Sequence, residues 1–388
     1  MSKGYEINGA SVRVYFNWEG KRRKERIGPN TAEMIAQAQR LSNIINYEID
    51  SGTFDYARHF PESPYVLNST FDFFLDIHLS IKKNSLAVSS YRGEEQKANG
   101  HIRPRWGSVQ IEKIDHIELQ SWIQNDLSKT LGNKTIKEIV SIMRQVFNLY
   151  STRQKKSFNP TTGIKIALPD KPDPDPFTLN EIEKIFTTPT VRTQELNLMK
   201  FMMWDGPRVS EALALAWEDV ISVEKGLIRY QRAKVLGKYK VTKTRRSTRT
   251  HTLVKSAREA LQEQFRLTGH LTPIEIEVTD RDNRTIRIQK IRPVFLNTDT
   301  LKPHNGDQVI RERFWETHLK NSAVRYRPPS QARHTFISQM LSTGAVPLHW
   351  IANHVGHTTI EQIQRTYGKW MKSDGADIHT LIEKYFNL

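Results

Sequence analysis

Apolar and polar positions alternate through SVRVYFNWEGKRRKERIG, near the start of the chain. Val12, Val14, Phe16 and Trp18 fall on one side, Arg13, Tyr15 and Asn17 on the other, and Glu19-Gly20 interrupts the run. A period of two ending at a Gly-containing pair predicts a β-hairpin with one buried face. The period then lengthens. Met34, Ala38, Leu41, Ile45 and Ile49 recur at helical spacing behind Asn30 and Glu33, which fit a capping box, so a helix is expected from Asn30. Lys21, Arg22, Arg23 and Lys24 lie on the exposed second strand. They make either a solvated, aggregation-resistant edge or a ribbon for a DNA groove, and spacing alone favours neither.

The region from Ser69 to Ile166 is helical in pattern. FDFFLDIHLSI, HIELQSWIQNDL and TIKEIVSIMRQVFNLY are each amphipathic, the last through Ile136, Ile139, Val140, Met143 and Phe147. Between the first two, GHIRPRWGSVQIEKI (Gly100 to Ile114) interleaves Arg103, Arg105 and Trp106 with Gly and Pro and reads as a basic loop, either solvated or able to clamp a duplex. Two proline-rich joints bound this region. One is PESPYVLN; the other is LPDKPDPDPF, whose closely spaced prolines favour an extended connector. Three domains are expected, over residues 1–61, 66–168 and 174–388. No repeat or low-complexity tract points to a solenoid.

The third region opens with TLNEIEKIF, a helix capped by Thr178 with Glu181. In WDGPRVSEALALAWEDV, Gly206 breaks one helix and Pro207 begins the next at its favoured first position, which puts Arg208 in a first turn with Ala212 and Leu215 on its buried side. A cation there opposes the helix dipole and calls for an anion. LIRYQR, KYKV and THTLV predict three short strands, with Lys243 on a turn in KTRRSTR. IEIEVTDRDNRTIRIQKI (Ile274 to Ile291) reads as an added hairpin decorating the surface. In SQARHTFISQMLSTG, Arg333 stands beside the face of Phe336 and Ile337, and Gly344 ends the helix. Pro347 begins a short helix to His354, and Thr358 with Glu361 caps a last one whose stripe is Ile360, Ile363 and Tyr367. Taken alone, a tyrosine there is more often a core residue with a hydrogen-bonded hydroxyl than a nucleophile.

Composition narrows the partner. Lys+Arg 58 against Asp+Glu 42 gives a net charge of +16 and a pI near 9.8 over 388 residues, which favours a polyanion. With Cys 0, disulfides and thiolate metal sites are excluded. No signal peptide opens the chain and no run approaches the roughly 18 apolar residues of a membrane span, so a soluble, intracellular protein is expected. His354 and His357 are three apart, yet without Cys or a neighbouring acidic cluster no metal is expected.

The order Gly-x-Arg-x-x-Glu-x-Leu-x-Leu-x-Trp-x-Asp in GPRVSEALALAWEDV, then Lys on a turn, then RHTF, then VGHTTIEQIQRTYGKW resembles the tyrosine recombinases, the phage-type integrases. The likeness covers nearly the whole chain. It implies a multidomain, mainly α protein with small β-sheets: an arm-type DNA-binding hairpin plus helix, a SAM-like helical core-binding bundle, and a mixed α/β catalytic domain. It makes Arg208 and Arg333 an arginine clamp, Lys243 the general acid, His357 the distal histidine, Tyr367 the nucleophile and Glu211 a support behind the clamp. The family's usual histidine three residues before the second arginine is Ser330 here. His334 is expected to point elsewhere on its helix and is not given that role.

The implied activity is site-specific DNA recombination through a 3′-phosphotyrosine, integrating and excising a prophage or other mobile element, with no cofactor and no metal. The partners implied are duplex attachment sites of core and arm types, a homotetramer on DNA, a DNA-bending host protein and an excisionase, in the cytoplasm and nucleoid of a bacterial host. A type IB topoisomerase would share the chemistry, but the arm-type region argues against it. A catalytically dead DNA-binding regulator would have lost a site residue, and Ser330 is the one sign of that. In ADIHTLIEKYFNL, Ile378, Leu381, Ile382, Tyr385 and Phe386 share a helical side that can pack on its own core or on a neighbour, and the resemblance implies a tail of the kind that often docks on a neighbouring subunit.

Overall fold

The computed structural model describes residues 4–154, 157–170, 172–242, 247–357 and 359–367. Lys243, Thr358 and the tail beyond Tyr367 lie outside these. The chain divides into two compact units, Met1–Pro169 and Asp170–Leu388. Among the described residues no helix is long and apolar enough to cross a membrane.

The first unit opens with an antiparallel sheet of β1 (Tyr5–Asn8), β2 (Ser11–Trp18) and β3 (Lys21–Pro29). Glu19 and Gly20 form the predicted two-residue turn, both with positive φ (51° and 70°), the backbone that matches strand twist. Val12, Val14 and Phe16 are buried against Ala38 and Ile45 of the helix Ala32–Asp50. The four-residue β1 was not foreseen; it pairs Tyr5 with Val14. The helix cap is Thr31, whose side chain accepts from the Met34 N–H, rather than Asn30, because the Asn30 N–H is held by the Ala10 carbonyl at the sheet end.

Strand register splits the basic run between two faces. Arg23 pairs with Phe16 and Lys21 with Trp18, on the side of the core; Arg22 pairs with Asn17, Lys24 with Tyr15 and Arg26 with Arg13. Side chains directly opposite share a face, so Arg13, Arg22, Lys24 and Arg26 form the outer basic surface. Arg23 instead lies over the Tyr65 ring, 3.9 Å from its centroid.

The second core of this unit joins the helices Phe71–Ser85 and Asn133–Gln154 through edge-on pairs, Phe71 with Phe147 and Phe74 with Tyr150. The basic loop expected after Gly100 is instead helical over its first part, a wide turn Ala98–Ile102 followed by Arg103–Trp106. Pro104 follows that wide turn within one continuous helical run from Val88, at a position that donates no backbone N–H. Trp106 is fully buried beside Trp122, and Arg103 is paired with Asp72 at 2.9 Å and Asp76 at 2.7 Å, so neither is free to clamp a ligand.

In the second unit, helices including Leu179–Thr187, Thr193–Asp205 and Lys255–Thr268 enclose a core with Phe177, Phe201 and Trp315. The Thr178–Glu181 capping box is present. The LIRYQR stretch divides between sheets: β4 (Val220–Ser222), β5 (Leu227–Tyr230) and β8 (Arg249–Thr252) form one, while β6 (Arg232–Val235), β7 (Lys238–Val241), β9 (Ile274–Thr279) and β10 (Ile286–Ile291) form the other. Asp219 fixes the crossover by accepting from Gln231 at 2.6 Å and pairing with Arg232.

The β9–β10 hairpin is not decoration. Strand β9 runs parallel to β7, pairing Val278 with Tyr239, and Ile276, Val278 and Ile291 are buried with Ala214 and Ala216. Val278→Ala should therefore lower the unfolding free energy by about 1–3 kcal/mol in a urea titration, while Ile288→Ala, at a side chain 62% exposed, should change it by less than about 0.5 kcal/mol.

Candidate active site

The site is assembled where several helices of the second unit end. The helix Thr193–Asp205 stops at Gly206, whose φ of 70° favours glycine and whose position leaves no room for a side chain: a Cβ would lie 2.5 Å from the Phe336 ring. Pro207 does not begin the next helix. Arg208 is the N-cap of the single turn Val209–Ala212, in extended backbone, because the Glu211 carboxylate accepts its N–H at 3.1 Å and its guanidinium at 2.8 Å. Arg208 is accordingly not drawn into the core; its side chain is 43% exposed and open to a ligand.

Glu211 is buried and also accepts from Arg249 at 3.1 Å. Burial pushes its carboxyl up, but Arg249, then Arg208 and Arg333, outweigh that and hold it below the ordinary carboxylate value. Arg249 stands on β8, its Nε donating to the His354 carbonyl at 2.6 Å and its guanidinium lying 4.4 Å from the Tyr230 ring centroid. Arg333, on the helix Gln331–Ser342, donates to the Gly206 carbonyl at 2.9 Å and to the Val355 carbonyl at 2.8 Å. Burial, then the like charge of Arg208, pulls it down to about 9, so it stays charged at neutral pH.

The helix Leu348–Val355 has Pro347 as its N-cap and ends at Gly356 with φ of 70°, delivering His357. Burial and then Arg333 and Arg208 depress the His357 imidazole to about 3, which leaves it neutral, and its buried Nδ1 has no hydrogen-bond partner. Tyr367 ends the described part of Glu361–Tyr367, buried with Ile363, while Ile360 leaves the expected stripe at 37% exposed. Burial raises the Tyr367 phenol above its ordinary value, against the pull of Arg333.

The expectation for His334 is overturned: its Nδ1 hydrogen-bonds the Tyr367 hydroxyl. The last helix packs back over the start of Gln331–Ser342 and brings the tyrosine to it. Ser330, the N-cap of that helix, is exposed and makes no capping hydrogen bond.

Behind the arginines, fully buried Asp205 accepts from His251 at 2.7 Å, His354 at 3.0 Å and Tyr230 at 2.5 Å. Burial opposes its ionisation, but His251 and His354 hold it far below the ordinary range. The Asp205, His251 and His354 donor atoms lie within 4.8 Å of one another, a spacing that could chelate. The contacts to Asp205, however, have hydrogen-bond lengths, so His354 and His251 fasten the floor of the site. A cavity of about 660 Å³ opens beside it, lined by Arg249, His251, His349, Trp350, His354 and His357.

The structure thus gathers Arg208 and Arg333 around Glu211, with His357 and Tyr367 within electrostatic reach of Arg333 and Lys243 outside the described residues. Sequence reasoning missed Arg249 and His334. For Arg249 a signal existed: Arg249 and His251 alternate on β8, the inward pattern of a strand.

Glu211→Gln should destabilise the protein by about 3–5 kcal/mol near pH 7, since it strands the buried Arg249 cation. Because the folded pKa of Glu211 is depressed, its contribution is full above the unfolded carboxylate value near 4 and is lost as pH falls through the folded value. The gap between wild type and variant in urea titrations should therefore narrow below about pH 4.

Comparison with known proteins agrees in all three regions. Residues 3–64 match an arm DNA-binding domain, residues 70–128 the N-terminal SAM-like domain of phage integrases, and residues 176–372 the phage integrase family. The prophage integrase IntR of Escherichia coli K12 is 29% identical over 400 residues, covering 96% of each chain. A XerC-like tyrosine recombinase of Caldanaerobacter subterraneus subsp. tengcongensis is 26% identical over 67% of this chain and 68% of its own length. A lambda integrase tetramer bound to a Holliday junction has the same fold, with TM-score 0.60 and 15% identity over 97% of this chain and 98% of that one.

Proposed function

Because the chain belongs to the phage integrase family and is a tyrosine site-specific DNA recombinase, we propose that Tyr367 is its nucleophile, Arg208 and Arg333 its phosphate clamp, Lys243 its general acid and His357 a neutral hydrogen-bond donor. The observation that carries this reading is the charge balance around Arg333, whose charge acts on the Tyr367 phenol: Arg208, Arg249 and Arg333 face one carboxylate, Glu211. A scissile phosphate supplies the missing anion.

Attack on phosphorus spreads negative charge over the non-bridging oxygens, which guanidinium forks bind in the plane they present. Arg333 is held rigidly by two carbonyls and Arg208 is the exposed half of the clamp. Ionising an ordinary phenol of pKa about 10 at pH 7 costs roughly 4 kcal/mol. The departing 5′-oxygen is more basic, comparable to water at about 15.7, so protonating it is the greater need and falls to Lys243. The 3′-phosphotyrosine ester replaces one phosphodiester and retains its bond energy, so the reaction runs without ATP.

We assign residues 1–61 to arm-type sites, 66–168 to core sites and 174–388 to catalysis, supported by the matched ranges and by separate hydrophobic cores. The outer face of the N-terminal sheet, with Arg13, Arg22, Lys24 and Arg26, is the surface for the arm duplex. The working assembly in this reading is a homotetramer on two duplexes in the bacterial cytoplasm and nucleoid, helped by a DNA-bending host protein and an excisionase. The lambda integrase tetramer supports the assembly by likeness of fold.

With a nicked suicide duplex, wild type should form a covalent adduct, and Tyr367→Phe should bind the same DNA and form none; an adduct in the variant would remove Tyr367 from its role. In single-turnover cleavage Ser330→Ala should slow the reaction by about tenfold or less, while Arg333→Ala should cost on the order of a thousandfold or more. Equal losses would return an essential part to Ser330.

A further inference from the structure

Transferring a proton to the leaving oxygen leaves a second proton unassigned, that of the attacking phenol. The position where related enzymes carry a histidine holds Ser330, exposed and outside the hydrogen bonding of the site. A hydroxyl cannot hold that proton as a stable cation. His357 lies within electrostatic range of Arg333, Arg208 and His334, but no hydrogen bond joins it to Tyr367 among the described residues. One group does touch the phenol. The His334 ring faces that of Tyr367 with centroids 5.7 Å apart, and its Nδ1 meets the hydroxyl.

We propose that His334 is the general base of this recombinase, accepting the Tyr367 proton at Nδ1 as the phenol oxygen attacks the scissile phosphorus. This rests on Tyr367 being the nucleophile. The step balances: the Tyr367 O–P bond forms, the P–O5′ bond breaks, the phenol proton passes to His334 and the leaving 5′-oxygen takes a proton from Lys243. In rejoining, the 5′-hydroxyl attacks, its proton returns to Lys243, and His334 gives its proton back to the departing Tyr367 oxygen.

The surroundings suit a base that is idle without DNA. Burial and then Arg333, one residue away on the same helix, keep His334 below its ordinary pKa, so its ring is neutral, and in the tautomer protonated at Nε2 its Nδ1 accepts from the hydroxyl. Burial holds the phenol above its own ordinary value, so the proton stays on oxygen in the free protein. Of the neighbouring charged and titratable groups, Arg333 acts on both rings and His357 lies within electrostatic range of His334, while Arg208 and Arg249 act on Arg333 and His357. The Arg333 cation disfavours an imidazolium. A bound phosphate offsets it and raises the basicity of His334 at the moment the nucleophile is needed.

The test is single-turnover suicide cleavage by the full chain from pH 5 to 9, on an ordinary phosphodiester and on a 5′-bridging phosphorothiolate, whose sulfur leaves without a proton. His334→Ala should slow cleavage by about 10²–10⁴-fold and abolish the acid limb of the wild-type profile, where protonated base is inactive. The loss should persist on the phosphorothiolate, whereas Lys243→Ala should recover there. Added imidazole should restore part of the His334→Ala rate. His334→Gln keeps an acceptor for the hydroxyl but holds no proton, so it should fold and bind DNA while remaining slow, which keeps the test decisive if the alanine variant misfolds. Wild-type rates and profile in His334→Gln, or recovery of either His334 variant on the phosphorothiolate, would overturn the proposal. An adduct formed by Tyr367→Phe would instead overturn the reading beneath it.

Discussion

One buried carboxylate, that of Glu211, facing the guanidiniums of Arg208, Arg249 and Arg333 organises the catalytic unit. Two of the three it binds directly. The third, Arg333, is held otherwise: its acceptors are the Gly206 and Val355 carbonyls, at the ends of the helices Thr193–Asp205 and Leu348–Val355. Carbonyls at helix C-termini are unpaired and carry the negative end of the dipole. They steady a cation without cancelling its charge, which leaves its field to the phosphate proposed to bind there. A second carboxylate built into the protein beside Glu211 would have given a more stable site and a poorer one.

That arrangement explains why the site sits where helices stop. Gly206 and Gly356 both turn with φ of 70°, and each is crowded on the side a Cβ would take, by the Phe336 ring and by the Arg249 guanidinium at 3.0 Å. The turns end two helices close to Arg333 and present their last carbonyls to it. Asp205, fastened to His251, His354 and Tyr230, ties the same helix ends to β5 and β8. Tyr367, the proposed nucleophile, arrives separately, on the last helix, and the His334 ring receives it.

Charge in the first unit is handled differently. The sheet displays Arg13, Arg22 and Arg26 on its outer face beside Lys24, which is paired with Glu6 at 2.8 Å, while Arg23 turns to the Tyr65 ring on the other face and Arg103 is paired with Asp72 and Asp76. A net charge of +16 is therefore a poor guide to which cations are available. Exposed cations opposite an unpaired face can release counterions from DNA; those already paired cannot.

Much was legible in the sequence because it depends on neighbours along the chain. Alternation gave the hairpin and the face it buries, the Thr178–Glu181 spacing gave a cap, and the order of motifs from GPRVSEALALAWEDV to VGHTTIEQIQRTYGKW gave the family. Local signals also misled where a distant contact overruled them. Asn30 lost its cap to Thr31 because the sheet holds its N–H, Arg208 moved to an N-cap because Glu211 reaches back to it, and Ile274–Ile291 became structural because β7 pairs with β9. His334 is the clearest case. Helix periodicity placed its ring away from the Arg333 side, correctly as far as one helix goes, but a second helix 33 residues later carries Tyr367 to that other side. Residue types and spacing set which groups the chain possesses; only packing between segments far apart in sequence decides which of them touch.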